Sequence, residues 1–111
     1  MIQLPDDVAP ADIVGETDLM AGEDWLNRRK IVTYANWMVR DEFPWETAQI
    51  VEPMSIAVGV NGKVINLGHH RWVAARLAGV VIPYEFELRY DYLQKNMVVP
   101  FAFRWEIVHW E

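Results

Sequence analysis

The chain contains no cysteine. That absence excludes disulfides, thiolate zinc sites and every cysteine nucleophile. It also has no apolar run approaching the roughly 20 residues that span a bilayer. Residues 1–20 lack the basic start and apolar stretch of a targeting segment. A soluble, cytoplasmic chain with no membrane association is expected. No basic residue precedes Arg28. Asp6, Asp7, Asp12, Glu16, Asp18, Glu23 and Asp24 all stand in the first 24 residues, whereas residues 25–111 hold nine acids and ten bases. The formal charge of −6 therefore describes an acidic lead-in attached to a body of +1. Such a body offers few contacts to a phosphate backbone, so broad nucleic-acid binding is not expected.

What is present is apolar and aromatic: 52% hydrophobic residues, 13% aromatic, six Trp. This composition excludes a disordered chain. At 111 residues there is room for one core, since a chain of this size buries only about 65% of its unfolded surface. Residues 1–23 are expected to form an extended, loosely ordered acidic segment, punctuated by Pro5, Pro10, Gly15 and Gly22, and residues 24–111 the domain. The acidic segment is either a solubilising tail or an arm that covers a basic pocket or meets a protein partner.

The body reads as α+β. Asp24 to Arg40 is expected to be a helix, opened by acidic residues and closed by a cation, with Ile31, Tyr34, Ala35, Met38 and Val39 on one stripe. It stops before Pro44. Residues 54–67 form a hairpin whose two β-rich runs flank Asn61-Gly62, a pair suited to a type I′ turn. Gly68 breaks the second strand. A helix over 69–78 follows, with Trp72, Ala75 and Leu77 or Ala78 buried and Gly79 as its stop. Val80–Leu88 alternates like an edge strand, with Pro83 within it. Asp91–Asn96 reads as a turn or one helical turn. Residues 97–110 fit a strand through the alternation of Phe101, Phe103, Trp105 and Ile107, or a helix opened by Pro100. The strand is favoured.

Chemistry concentrates in Gly68-His69-His70-Arg71. The first N–H groups of a helix are unpaired, and its dipole is positive there. Gly68 leaves room for a ligand, Arg71 is a planar cation matched to phosphate oxygens, and two histidines can donate beside it. Together they form a candidate anion site.

In its context this motif resembles the ParB N-terminal domain family, which shares its fold with sulfiredoxin. Pro53 precedes a strand, the hairpin follows, and Gly68-His69-His70-Arg71 leads into a helix with Ala74-Ala75 and Leu77-Ala78-Gly79, before Val81-Ile82-Pro83. The resemblance covers roughly residues 25–90. It implies a compact ParB/sulfiredoxin-like domain that holds the phosphates of a nucleoside triphosphate at Gly68, His69, His70 and Arg71. It implies Mg²⁺, and a nucleotide hydrolase or nuclease activity. The family's second motif is echoed by Asp91, Gln94 and Lys95. The sulfiredoxin reaction is excluded, because its reactive cysteine falls near His69 and the chain has none. A chromosome-partition role is not expected, since the stretch after residue 90 is too short for a helix-turn-helix domain.

Other candidates are sparser. Glu85 and Glu87, two residues apart on one face of the expected strand, can hold a divalent cation or simply face solvent. Neighbouring His69 and His70 point about 100° apart on a helix and are poor joint ligands. Arg28, Arg29 and Lys30 form the one basic cluster, either a solvated helix face, which is favoured, or a phosphate-binding one. Six Trp in one small domain leave one or two for a pocket or a homodimer interface. The alternative to a nucleotide-binding domain is a non-catalytic plasmid- or phage-type accessory protein that meets its partner through the acidic segment. A toxin acting on nucleic acid is least favoured, given the near-neutral body.

Overall fold

The computed structural model describes residues 1–59, 62–90 and 102–111. Among them the chain is α+β: four helices and a small mixed sheet. Helix α1 (Pro10–Val14) is a short helix with Pro10 in its first turn, the position where a missing N–H costs nothing. Strand β1 (Trp25–Leu26) precedes α2 (Arg28–Val39), and α3 (Trp45–Val51) follows Pro44. Strands β2 (Ser55–Gly59) and β3 (Gly62–Leu67) form the expected hairpin, with Gly59 opposite Gly62. Residues 60–61, and with them the type I′ geometry expected at Asn61-Gly62, lie outside the described residues. Helix α4 (His69–Ala78) ends at Gly79, whose φ of 67° is the left-handed conformation expected of it. Strand β4 (Arg89–Tyr90) then pairs parallel with β2, giving the order β3-β2-β4. Strand β5 (His109–Trp110) pairs parallel with β1.

The core lies where α2 crosses α4 and the sheet. Ile31, Ala35 and Met38 of α2 are buried, as are Trp72, Val73, Ala74 and Ala75 of α4. Val39, expected on the buried stripe of α2, is exposed instead, because it sits at the helix end. Trp72 stacks on Trp105 with centroids 5.5 Å apart. The Trp105 indole donates to the Leu19 carbonyl at 2.8 Å, which allows its ring to be buried.

Several local expectations are corrected. Helix α2 begins at Arg28, not Asp24, because Asn27 caps it: its side-chain oxygen accepts from Lys30 N–H at 2.9 Å. Residues 25–26 instead pair with β5, and the Asp24 carbonyl accepts from His109 N–H. The segment 80–88 is not a strand. Pro83 turns it into a single 3₁₀ turn over Tyr84–Phe86, closed by Phe86 N–H on the Pro83 carbonyl. Residues 102–110 are neither a continuous strand nor a helix, and residues 97–101 of the expected element lie outside the described residues. Phe103 bridges Ala21, Trp105–Ile107 form a 3₁₀ turn, and only His109–Trp110 pair as a strand. The acidic lead-in is built into the globule. Val14 and Ala21 are core residues, and Met20 bridges Val64 at the sheet edge.

Candidate functional site

Strand β3 delivers the chain to Gly68, which adopts φ 96° and caps α4. This left-handed conformation turns the chain directly from strand to helix. It also allows close packing: a Cβ on Gly68 would lie 2.5 Å from Met54 Cγ. The space in the side-chain direction of Gly68 is therefore filled by Met54.

The three polar residues that follow go to different places. His69 is 2% exposed and points into the core. Its Nε2 accepts the Gly22 N–H at 2.8 Å, which leaves the proton on Nδ1. That Nδ1 lies 3.7 Å from Glu23 Oε1 and, among the described residues, has no hydrogen-bond partner. Burial, and to a lesser extent His70, lowers the His69 pKa to about 4, so the ring is neutral at pH 7. Burial also raises the Glu23 pKa, with Glu52 and Glu111 adding to the effect and Lys30 opposing it.

His70 is half-buried, and its Nε2 accepts the Asn27 N–H at 3.0 Å. Burial first, then the nearby Lys30, pushes its pKa down. It thus contributes a hydrogen-bond donor at Nδ1 rather than a positive charge.

Arg71 is 6% exposed. Its guanidinium is turned toward the end of α3. Nη2 donates to the Ala48 carbonyl at 3.0 Å and to the Glu52 carbonyl at 2.6 Å, and Nη1 donates to Gln49 Oε1 at 3.2 Å. A cation at the C-terminal carbonyls of a helix satisfies both the unpaired acceptors and the dipole. Two of the five guanidinium N–H groups remain, on Nη1 and Nε. Gln49 Oε1 also accepts from Met54 N–H at 3.3 Å, so the same contact fixes the entry to β2. Sequence reading missed this role because α3 itself is nearly illegible: none of its residues is buried.

Beside Arg71 lies a cavity of about 180 Å³ lined by Lys30, Tyr34, Ala48, Val51, Glu52, Gly68, His70 and Arg71. Three of the four expected site residues thus share one cavity, and His69 is not among them. Lys30 joins it from α2, half of the role assigned to a solvated basic cluster. Its ammonium lies 5.6 Å from the Tyr34 ring centroid. The cavity is below the roughly 300–1,000 Å³ of sites that enclose a small molecule.

Glu85 and Glu87 are both exposed, one in the 3₁₀ turn and one after it, so the strand face expected to carry them is absent. Among the described residues no three His, Asp or Glu side chains stand together as a metal site. Asp91, Gln94 and Lys95 lie outside the described residues. No described helix is long and apolar enough to cross a membrane. Comparison of the chain with protein-family models, with curated proteins and with solved structures gave no match.

Proposed function

We propose that the chain binds the phosphoryl end of a nucleotide in the cavity at the start of α4. The observation that carries this reading is that Lys30, Gly68, His70 and Arg71 line one 180 Å³ cavity. The positive end of the α4 dipole adds to their field. The volume suits one anionic group and leaves the rest of the nucleotide over the outer face of α3. Glu52 is the one carboxylate in that lining, and Mg²⁺ arriving with a nucleotide commonly uses one or two protein carboxylates. The resemblance of the strand–Gly–His–His–Arg–helix unit to ParB-type domains points the same way.

Calorimetric titration with inorganic phosphate, pyrophosphate and nucleoside triphosphates, with and without Mg²⁺, tests the reading. Lys30→Gln is the informative variant, since Lys30 is exposed and its loss leaves the core intact. Binding that weakens about tenfold in Lys30→Gln supports the site. Absence of binding across the panel, or binding indifferent to Lys30 and His70, rejects it.

A second reading, an interaction protein, is favoured by α3. Ile50 and Val51 are 82% and 79% exposed on a helix with no buried residue. Under it, Ile50→Asp removes partner binding and leaves phosphate titrations unchanged.

A further inference from the structure

The side chains of Asn36, Arg28 and Trp110 hydrogen-bond the first eight residues through main-chain atoms. Asn36, 9% exposed in the middle of α2, makes a two-way contact with Ile2. Its Oδ1 accepts the Ile2 N–H at 2.7 Å, and its Nδ2 donates to the Ile2 carbonyl at 3.2 Å. This reproduces the pairing a neighbouring β-strand would offer. Arg28 Nη2 donates to the carbonyls of Leu4 and Pro5. The Trp110 indole N–H donates to the Val8 carbonyl at 2.7 Å, and the Arg28 guanidinium sits 5.9 Å from the Trp110 ring centroid. Bonds to main-chain atoms do not depend on which side chains the segment carries.

The side chains of the segment follow an extended pattern: Ile2 and Leu4 are half-buried, while Met1 and Gln3 are exposed. No residue of 1–9 is fully buried. An open cleft of about 790 Å³ remains beside the segment, lined by Ile2, Leu4, Arg28, Arg29, Val32 and Asn36, among others. The wall of this groove carries Arg28 and Arg29. The segment beside it carries no base, and its Asp6 and Asp7 stand exposed at the turn closed by Val8 N–H on the Pro5 carbonyl.

We propose that the groove between α2 and β5 is a docking site for a peptide that runs extended and then turns through an acidic pair, recognised through its main chain, and that residues 2–8 fill it in cis. Recognition by main-chain bonds with alternate side chains in shallow pockets is the logic of strand-addition sites. A segment fastened by a few hydrogen bonds and three half-buried residues, Ile2, Leu4 and Val8, opens at lower free energy than the core. A peptide of matching charge and pattern then competes for the place it vacates.

Two experiments on the full chain test this. The first compares indole N–H exchange by NMR. Trp110, bonded to Val8, exchanges at least a hundredfold faster than Trp105, bonded to Leu19 in the core. Equal rates for the two indoles would mean that the segment leaves only when the whole protein unfolds, and would overturn the proposal. The second titrates a labelled peptide of residues 1–9 into the full-length Ile2→Gly/Leu4→Gly variant, followed by fluorescence anisotropy. The variant is expected to bind at least tenfold more tightly than the unaltered chain, and Asn36→Ala added to it removes the binding. Replacing both aspartates of the peptide by lysine weakens binding at least tenfold. Absence of peptide binding by a variant with native near-ultraviolet circular dichroism overturns the proposal. So does equal binding of the lysine peptide, or segment exchange between copies without peptide binding. Should the variant not fold, the indole comparison decides alone.

Discussion

His69 accepts a hydrogen bond from the Gly22 amide across 47 residues of chain. The contact joins the acidic N-terminal segment to the first turn of α4. It is possible because Gly22 has no side chain: a Cβ there would collide with the Ile65 carbonyl and stand 3.4 Å from the His69 ring. Gly22→Ala must therefore move backbone. It is expected to cost about 2–3 kcal/mol through overpacking and a strained hydrogen bond. A urea midpoint unchanged from that of the parent would show that the approach is not tight.

Stability should fall as the solution is acidified through the range in which the unfolded histidines take up protons. The folded His69 pKa is depressed to about 4, so between its unfolded value of 6.5 and 4 the unfolded state binds the extra proton. Stability thus rises with pH in that window and is lost as pH falls through it, by up to about 3 kcal/mol from this residue. His70, also depressed, acts in the same direction. Glu23 acts oppositely, because its raised pKa lets the folded state hold a proton more tightly than the unfolded one. Urea denaturation at intervals from pH 7 to pH 4 should show the loss in the parent and a smaller one in His69→Gln. Parallel profiles for the two proteins would exclude His69 as the main cause.

Arg71→Lys should detach α3 without unfolding the body. A lysine ammonium cannot reach Gln49 Oε1 and the carbonyls of Ala48 and Glu52 in one planar fan. No residue of α3 is fully buried, so these bonds fasten it together with the packing of Trp45 and Ala48 on the core and the contacts of Trp45 with Phe43 at 4.6 Å and Phe86 at 6.3 Å. Amide exchange over residues 45–52 is expected to rise at least tenfold, with a global loss of about 2 kcal/mol from the buried charged hydrogen bonds. Exchange that rises uniformly along the chain would indicate instead that Arg71 supports the core as a whole.

Gly68→Ala combines two penalties. A residue with a side chain is strained at φ 96°, and the new Cβ would stand 2.5 Å from Met54 Cγ. The expected cost is about 2–4 kcal/mol. Gly68→Ala/Met54→Ala separates the two terms in thermal denaturation. Recovery, relative to Met54→Ala alone, of part but not all of the loss is expected. No coupling between the substitutions would place the whole cost in the backbone.

Local signals in the sequence carried part of this structure. The hairpin over 54–67, the turn at Gly68 and the helix from His69 to Gly79 were legible because each rests on neighbours in the chain: β-rich runs, a glycine at a strand end, a glycine at a helix end. Where local signals competed with distant partners, the partners won. Residues 24–27 left the expected helix because β5 paired with Trp25 and Leu26. The alternation of residues 103–108 gave way to a 3₁₀ turn that seats Trp105 on Trp72.

The candidate site divides in the same way. Gly-His-His-Arg identified the start of α4 as an unusual concentration of polar groups, but not where each group would point. Successive helical residues diverge by about 100°, so His69, His70 and Arg71 face different surroundings. His69 meets Gly22 and Glu23, His70 meets Asn27, and Arg71 meets the end of α3. Charge order along the chain is a one-dimensional property, and the sequence by itself determined that the acids gather before residue 25. Only the folded chain placed the first eight residues against Asn36, Arg28 and Trp110, because the hydrogen bonds that hold them are made by backbone atoms that every residue carries.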